Sequence, residues 1–214
     1  MSSTTRGNRS GSKGKDFYPT PSWCVDRLLE RLHLPGGVWL EPCAGAGAII
    51  DAVSTRREDV SWFAVEKDLK HAAGLKERVG ARSVRIMDAR DLTTAGLLRT
   101  EPTLTITNPP FNIWSEIKDA VIELAAMTVM LLSIDMLGSA ERNMWMRVHA
   151  PDVYVIPDRP SFTGKGTDSN SYAWFVWHRR RRRRSGRIEV LRLTPREVRN
   201  AGRRQADRTG RRPR

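Results

Sequence analysis

Between residues 21 and 157, short apolar runs rich in branched and aromatic side chains alternate with longer stretches whose apolar residues recur every three or four positions. That alternation constrains the fold more than any other feature. A strand followed by a helix returns the chain in the same direction, so repeated strand–helix units build a parallel sheet covered on both faces. Thr20 reads as an N-cap with Pro21 in the first helical position, followed by Val25, Leu28, Leu29 and Leu32 on one face and a stop at Pro35-Gly36-Gly37. Strands are expected at 38–41, 61–66, 83–87, 103–107 and 128–134, with helices over 49–54, 69–79, 114–126 and 139–149. Runs 152–157 and 171–177 are joined by a Gly/Ser-rich loop without a helix, which predicts an antiparallel hairpin, and 188–193 offers one more edge strand. The expected class is α/β, a doubly wound and mostly parallel sheet ending in that hairpin.

The strand at 103–107 runs into Asn108-Pro109-Pro110-Phe111. Two prolines end a ladder and stiffen the backbone, and Pro109 keeps Asn108 out of helical geometry. The corner presents an amide oxygen, a prolyl carbonyl and an aromatic face. A planar amine conjugated to a ring is a poor nucleophile, because its lone pair is delocalised. Two acceptors, the Asn108 side-chain oxygen and the Pro109 carbonyl, can take hydrogen bonds from both amine protons and free that lone pair, while Phe111 stacks on the ring. Taken alone, the tetrad also suits an ordinary strand stop.

Other strand ends narrow the choice. The first leads into Glu41-Pro42-Cys43-Ala44-Gly45-Ala46-Gly47, where small residues allow a ligand close to the backbone and Glu41 can attract an ammonium. The second ends in Glu66, suited to two ribose hydroxyls, and the third in Asp88, suited to an adenine amine. In such sheets ligands bind outside the carboxyl ends of the strands. Three acids there, without a P-loop lysine or a Gly-x-Gly-x-x-Gly run, favour a cationic, phosphate-free nucleoside.

Charge divides the chain. Residues 178–214 hold 16 arginines and three acids, a net +13, whereas residues 1–177 hold 21 basic and 21 acidic residues and are neutral. A neutral body with a polycationic tail points to a nucleic-acid partner. Residues 1–15 contain almost no apolar side chain and read as a disordered basic segment, 16–177 as the folded domain, and 178–214 as an Arg-rich tail with one added strand at 187–193. The two cysteines, Cys24 and Cys43, lack metal-ligand spacing and suggest a reducing, cytoplasmic setting; no metal and no membrane partner are expected.

Together, Asp16-Phe17-Tyr18-Pro19-Thr20-Pro21, the Glu41–Gly47 run, Val65-Glu66, Asp88 and Asn108-Pro109-Pro110-Phe111 resemble the S-adenosylmethionine-dependent DNA N6-adenine methyltransferases of the small phage type. The resemblance covers residues 16–112 well, and more loosely Arg159–Phe162 and Tyr172–Phe175. It implies a Rossmann-like methyltransferase fold and S-adenosylmethionine as cofactor. Tyr18, Pro19 and Thr20 would lie over the methionine end, with Pro42, Cys43, Ala44, Gly45 and Gly47 beneath it. Glu66 with Lys67 would sit at the ribose and Asp88 with Ala89 at the adenine. Cys43 stands where the family usually has an aromatic residue.

The implied chemistry is direct transfer of a sulfonium methyl group to N6 of adenine, with Asn108, Pro109, Pro110 and Phe111 as the catalytic corner and no covalent enzyme intermediate. A base in duplex DNA must first leave the stack. Arg159, Phe162 and Lys165 are candidates to line its pocket. No separate sequence-reading module is visible, so short or relaxed specificity is expected, with affinity dominated by the tail. RNA N6-adenine and DNA N4-cytosine methylation use the same corner. A protein glutamine methyltransferase is a more distant reading, since Tyr usually closes that tetrad, and a binding module with a vestigial cofactor pocket is another.

Overall fold

The computed structural model describes residues 18–92, 101–138, 140–162, 170–179 and 186–192. Asp16, Phe17, Lys165 and Arg180–Arg184 therefore lie outside the described residues, as do 1–15 and 193–214.

Eight strands form one sheet in the order β3-β2-β1-β4-β5-β7-β6-β8. They are β1 Gly37–Glu41, β2 Val60–Glu66, β3 Val84–Ile86, β4 Leu104–Thr107, β5 Met127–Ser133, β6 Asp152–Val155, β7 Tyr172–His178 and β8 Ile188–Val190. The first five are mutually parallel. Strand β7 is antiparallel to both β5 and β6, which gives the expected hairpin, and β8 joins the edge parallel to β6. This is the α/β class the alternation predicts.

Five α-helices flank the sheet: α1 Ser22–Arg31, α2 Ala48–Ser54, α3 Ala72–Val79, α4 Trp114–Glu123 and α5 Ala140–Val148. Parallel strands covered on both faces are buried throughout, and all four residues of β4 are buried, Thr105 and Thr107 included. One buried cluster joins Val25 and Leu28 of α1, Ile49 and Val53 of α2 and Leu75 of α3 to Trp39, Leu104, Val129 and Trp174. The other joins Trp114, Ile117 and Val121 of α4 to Leu40, Met130, Leu132 and Phe175. The fully buried Trp174 donates its Nε1–H to the Cys24 carbonyl at 2.9 Å, pinning α1 to β7.

Two local expectations need correction. Thr20 does not cap α1: Pro21 occupies the N-cap, without a side-chain capping bond, and the helix begins at Ser22. The Thr20 hydroxyl is committed to Asn108 instead. The helix expected over 69–79 is split into a 3-10 turn at Leu69–His71, opened by the Asp68 carboxylate accepting from the Lys70 N–H, and α3 proper.

Candidate functional site

Strand order reverses between β1 and β4, which are neighbours although β2 and β3 intervene in sequence. Loops leaving the carboxyl ends of such strands diverge to opposite faces and leave a crevice. A cleft of about 510 Å³ opens there, lined by Tyr18, Pro19, Thr20, Glu41, residues 43–46, Glu66, Lys67, Asn108 and Pro110, among others. That is the volume range of a small-molecule site.

The Pro-Pro corner is built as a fixed acceptor. Asn108 donates through Nδ2 to the Thr20 hydroxyl at 3.1 Å and to the Tyr18 carbonyl at 3.3 Å. A backbone carbonyl can only accept, so these contacts set the amide orientation. None of the described residues donates to Oδ1. The Pro110 carbonyl is taken by the Ile113 N–H at 3.2 Å, while no backbone N–H of the described residues reaches that of Pro109. Among the described residues, therefore, no donor occupies either acceptor expected from the sequence.

On the β1 side the loop folds back on β2. The Ala44 N–H donates to the Val65 carbonyl at 2.9 Å, and the Gly47 N–H to the Ala44 carbonyl at 2.8 Å. Gly45 and Gly47 adopt positive φ, 53° and 86°, which side-chain-bearing residues seldom do. The Gly45 N–H thereby reaches Oε2 of Glu66 at 2.7 Å, and the Asp68 N–H reaches Oε1 at 2.7 Å. Glu66 is thus a carboxylate locked by two backbone donors at the cleft wall.

Glu41 is different. It is 2 % exposed, and its Oε2 has no hydrogen-bond partner. Burial, then the neighbouring Glu66 and Asp51, pushes its carboxyl well above the ordinary range. The Cys43 thiol is pushed up to about 12, first by burial and then by Glu66 and Glu41, so it is an inert lining group.

Asp88 does not line this cleft, although its charge is felt by Cys43 and Lys67, which do. Its carboxylate accepts from Nε and Nη2 of Arg90 at 3.0 and 2.8 Å and from the Arg90 backbone N–H at 3.0 Å. These contacts hold it down to about 2. Asp88, Ala89, Pro42, Gly47 and Pro109 are not among the residues lining the cleft. Phe111, 46 % exposed, lies beside it in a chain of rings: Phe111 stacks on Tyr172 at 6.1 Å, Tyr172 meets Phe162 edge-on at 4.9 Å, and Phe162 meets Tyr18 at 6.3 Å. Arg159 is exposed, with its N–H bonded to Asp158.

Sequence reasoning missed Asp68, Lys70 and His71 at the rim and Ile49, Asn112 and Ile113 on the walls. Each directly follows a motif already singled out, so the rule that strand-end loops build the site would have found them. Among the described residues no group of three or more His, Cys, Asp or Glu is placed to hold a metal ion, and no helix is long and apolar enough to cross a membrane.

No protein-family model matches the chain, and neither does any curated protein. Its fold is similar to that of a predicted O-methyltransferase from Agrobacterium tumefaciens, with a TM-score of 0.60, 17 % identity, and coverage of 85 % of this chain and 96 % of that one. It is also similar to the 23S rRNA methyltransferase ErmE, with a TM-score of 0.54, 17 % identity and coverage of 91 % and 80 %. A dimethyladenosine transferase from Plasmodium falciparum gives a TM-score of 0.54 at 10 % identity, covering 76 % of this chain and 63 % of that one. At these identities the likeness establishes a Rossmann-like methyltransferase fold.

Proposed function

We propose that the chain transfers a methyl group from S-adenosylmethionine to the exocyclic N6 amine of adenine in DNA. The observation that carries this reading is the orientation of Asn108. Its amide N–H groups are spent on Tyr18 and Thr20, which leaves Oδ1 as an acceptor beside the unused Pro109 carbonyl.

The cleft suits the cofactor on its own chemistry. Glu66 is held ready for paired hydroxyls, the positive-φ glycines admit a ligand against the backbone, and the partnerless Glu41 oxygen calls for a cation. Bound there, the cofactor would supply an electrophilic methyl on a sulfonium. Tyr18, Pro19, Thr20, Ala44 and Gly45 would hold it with Glu66 and Lys67. Asp88 and Ala89 would take part at the adenine end only after Arg90 gives up or shares the Asp88 carboxylate.

The chain's own residues then do three things. Asn108 Oδ1 and the Pro109 carbonyl accept hydrogen bonds from the two amine N–H groups and localise the nitrogen lone pair. Phe111, backed by Tyr172, offers a stacking face to a base that has left the helix. The stiff diproline backbone holds both acceptors and ring in one geometry, so little ordering is left to the reaction step. As the N–C bond forms and the donor's S–C bond breaks, the amine nitrogen becomes cationic, and it then loses one proton to solvent water.

The basic sequence beyond residue 178 supports a nucleic-acid substrate. Likeness to ErmE, which acts on rRNA, supports RNA as a second reading. Incubation with labelled cofactor and with duplex DNA, single-stranded DNA or RNA, followed by nucleoside mass spectrometry, separates them. We expect N6-methyladenine in DNA. Asn108→Ala should lower turnover by about 100-fold or more while cofactor affinity stays within a few-fold. Equal loss of both would sink the assigned role of Asn108.

A further inference from the structure

Among the exposed large apolar side chains of the described residues, two are aromatic: Tyr18 at 50 % and Phe111 at 46 %. The others, Leu69 and Met144 among them, carry no ring. Single apolar groups on a surface are ordinary, but these two rings stand on either side of one site. Phe111 is three residues beyond Asn108, and the Tyr18 carbonyl accepts from Asn108 Nδ2 at 3.3 Å.

Both rings are mounted rather than loose. Phe111 stacks on Tyr172 with 23° between the ring planes. Tyr18 meets Phe162 edge-on, at 72°, and Phe162 meets Tyr172 at the same angle. Tyr172 is 3 % exposed and belongs to the buried cluster that α1, α2 and α3 cover, against which Phe162 also packs. Its backbone is fixed too: it lies opposite Ser133 of β5, and its carbonyl accepts from the Ile156 N–H at 2.9 Å. One buried ring therefore holds both exposed ones, Phe111 directly and Tyr18 through Phe162. Rings held in this way have little side-chain freedom left to lose when a flat ligand arrives.

A nucleobase is the flat ligand that suits this pair. Stacking on an aromatic side chain accepts any base, because each has a π-face, and it serves strands that are not paired. Phe111 is assigned to the target base, so Tyr18, across Asn108, is placed for a base beside it. In an intact duplex that neighbour stays in its own stack. Tyr18 can therefore serve only a strand opened at the target and next to it. The formal net charge of +13 suits a polyanion and argues against an apolar peptide as the occupant.

We propose that the Tyr18 ring is a second stacking site, which takes the base flanking the target adenine in an unpaired strand. The backbone of Tyr18 orients Asn108 and its ring holds the neighbouring base, so one residue aligns the acceptor corner with the strand. The identity of the target rests on the methyl-transfer reading; the second site does not.

A binding cycle between Tyr18 and the flanking base tests this. It is run without cofactor, so that donor contacts at Tyr18 do not enter. The probes are single-stranded thymine oligonucleotides with one central adenine, either intact or with an abasic residue on one side of it or the other. The wild-type protein should bind one of the two abasic strands about fivefold or more weakly than the intact strand. In Tyr18→Ala the same replacement should cost less than about twofold, whereas Tyr18→Phe should behave as the wild type. Tyr18→Leu keeps an apolar contact with Phe162 without a ring and should match Tyr18→Ala. Indifference of the wild type to both abasic strands overturns the proposal, and so does an undiminished loss in Tyr18→Ala and Tyr18→Leu. If the protein methylates neither DNA nor RNA, the methyl-transfer reading fails, and the same cycle still decides the stacking site.

Discussion

At the scale of single residues, Glu41 is the least expected. A buried carboxylate oxygen without a partner is costly, which favours the protonated form of Glu41, and the nearby charges of Glu66 and Asp51 push the same way. Its folded pKa lies above the unfolded value near 4.3, so the folded state holds the extra proton. Its effect on the free protein is therefore a loss of stability as pH rises above that value, ending at the folded pKa. A bound cation reverses the balance by favouring the ionised form. Calorimetry of a cationic cofactor analogue in two buffers of different ionisation enthalpy should report release of up to about one proton per site near neutral pH. Glu41→Gln should abolish that release and flatten the pH dependence of stability. An unchanged proton count in Glu41→Gln would remove Glu41 from the cation site.

At the scale of elements, the β8 edge hangs on a close approach. A Cβ on Gly186 would meet the Pro151 carbonyl oxygen at 1.6 Å, a backbone atom that no side-chain rotation can move. Gly186→Ala should cost roughly 1–3 kcal/mol locally by forcing the two backbones apart. Hydrogen exchange should quicken at the Val153 and Leu191 amides, which bond to the Arg187 and Val155 carbonyls, while Leu131 and Trp174 stay protected. Uniform acceleration across the sheet, or none, would contradict this. Element positions were readable from the sequence because periodicity and strand-end prolines act locally. The Thr20 cap was misread for a long-range reason: its hydroxyl is claimed by Asn108, 88 positions away, and no local pattern records that competition. The split at Leu69–His71 escaped because an Asp68 cap resembles a helix start, and only the geometry shows where the α-turns begin.

At the scale of the whole molecule, the sheet order explains why the site could be anticipated. The β1 and β4 ends are distant in sequence and adjacent in space, so Glu41 and Glu66 meet Asn108 and Pro110 at one reversal point, while Asp88 and Pro109 do not line it. The placement of Glu66 and Asn108 at the cleft was legible from strand-end position. Their hydrogen-bond commitments were not, and neither was the diversion of Asp88 to Arg90, since such pairings follow from loop conformation. The account turns on one geometric statement, that the methyl donor and the acceptor corner share the cleft between β1 and β4. A crystal structure with a stable analogue of the donor tests it most directly. Its hydroxyl-bearing end should lie on Glu66 and its methyl-bearing centre should face Asn108 Oδ1 and the Pro109 carbonyl, with Arg90 moved from or sharing Asp88. A donor analogue seated away from Asn108, with Glu66 unengaged, would contradict it.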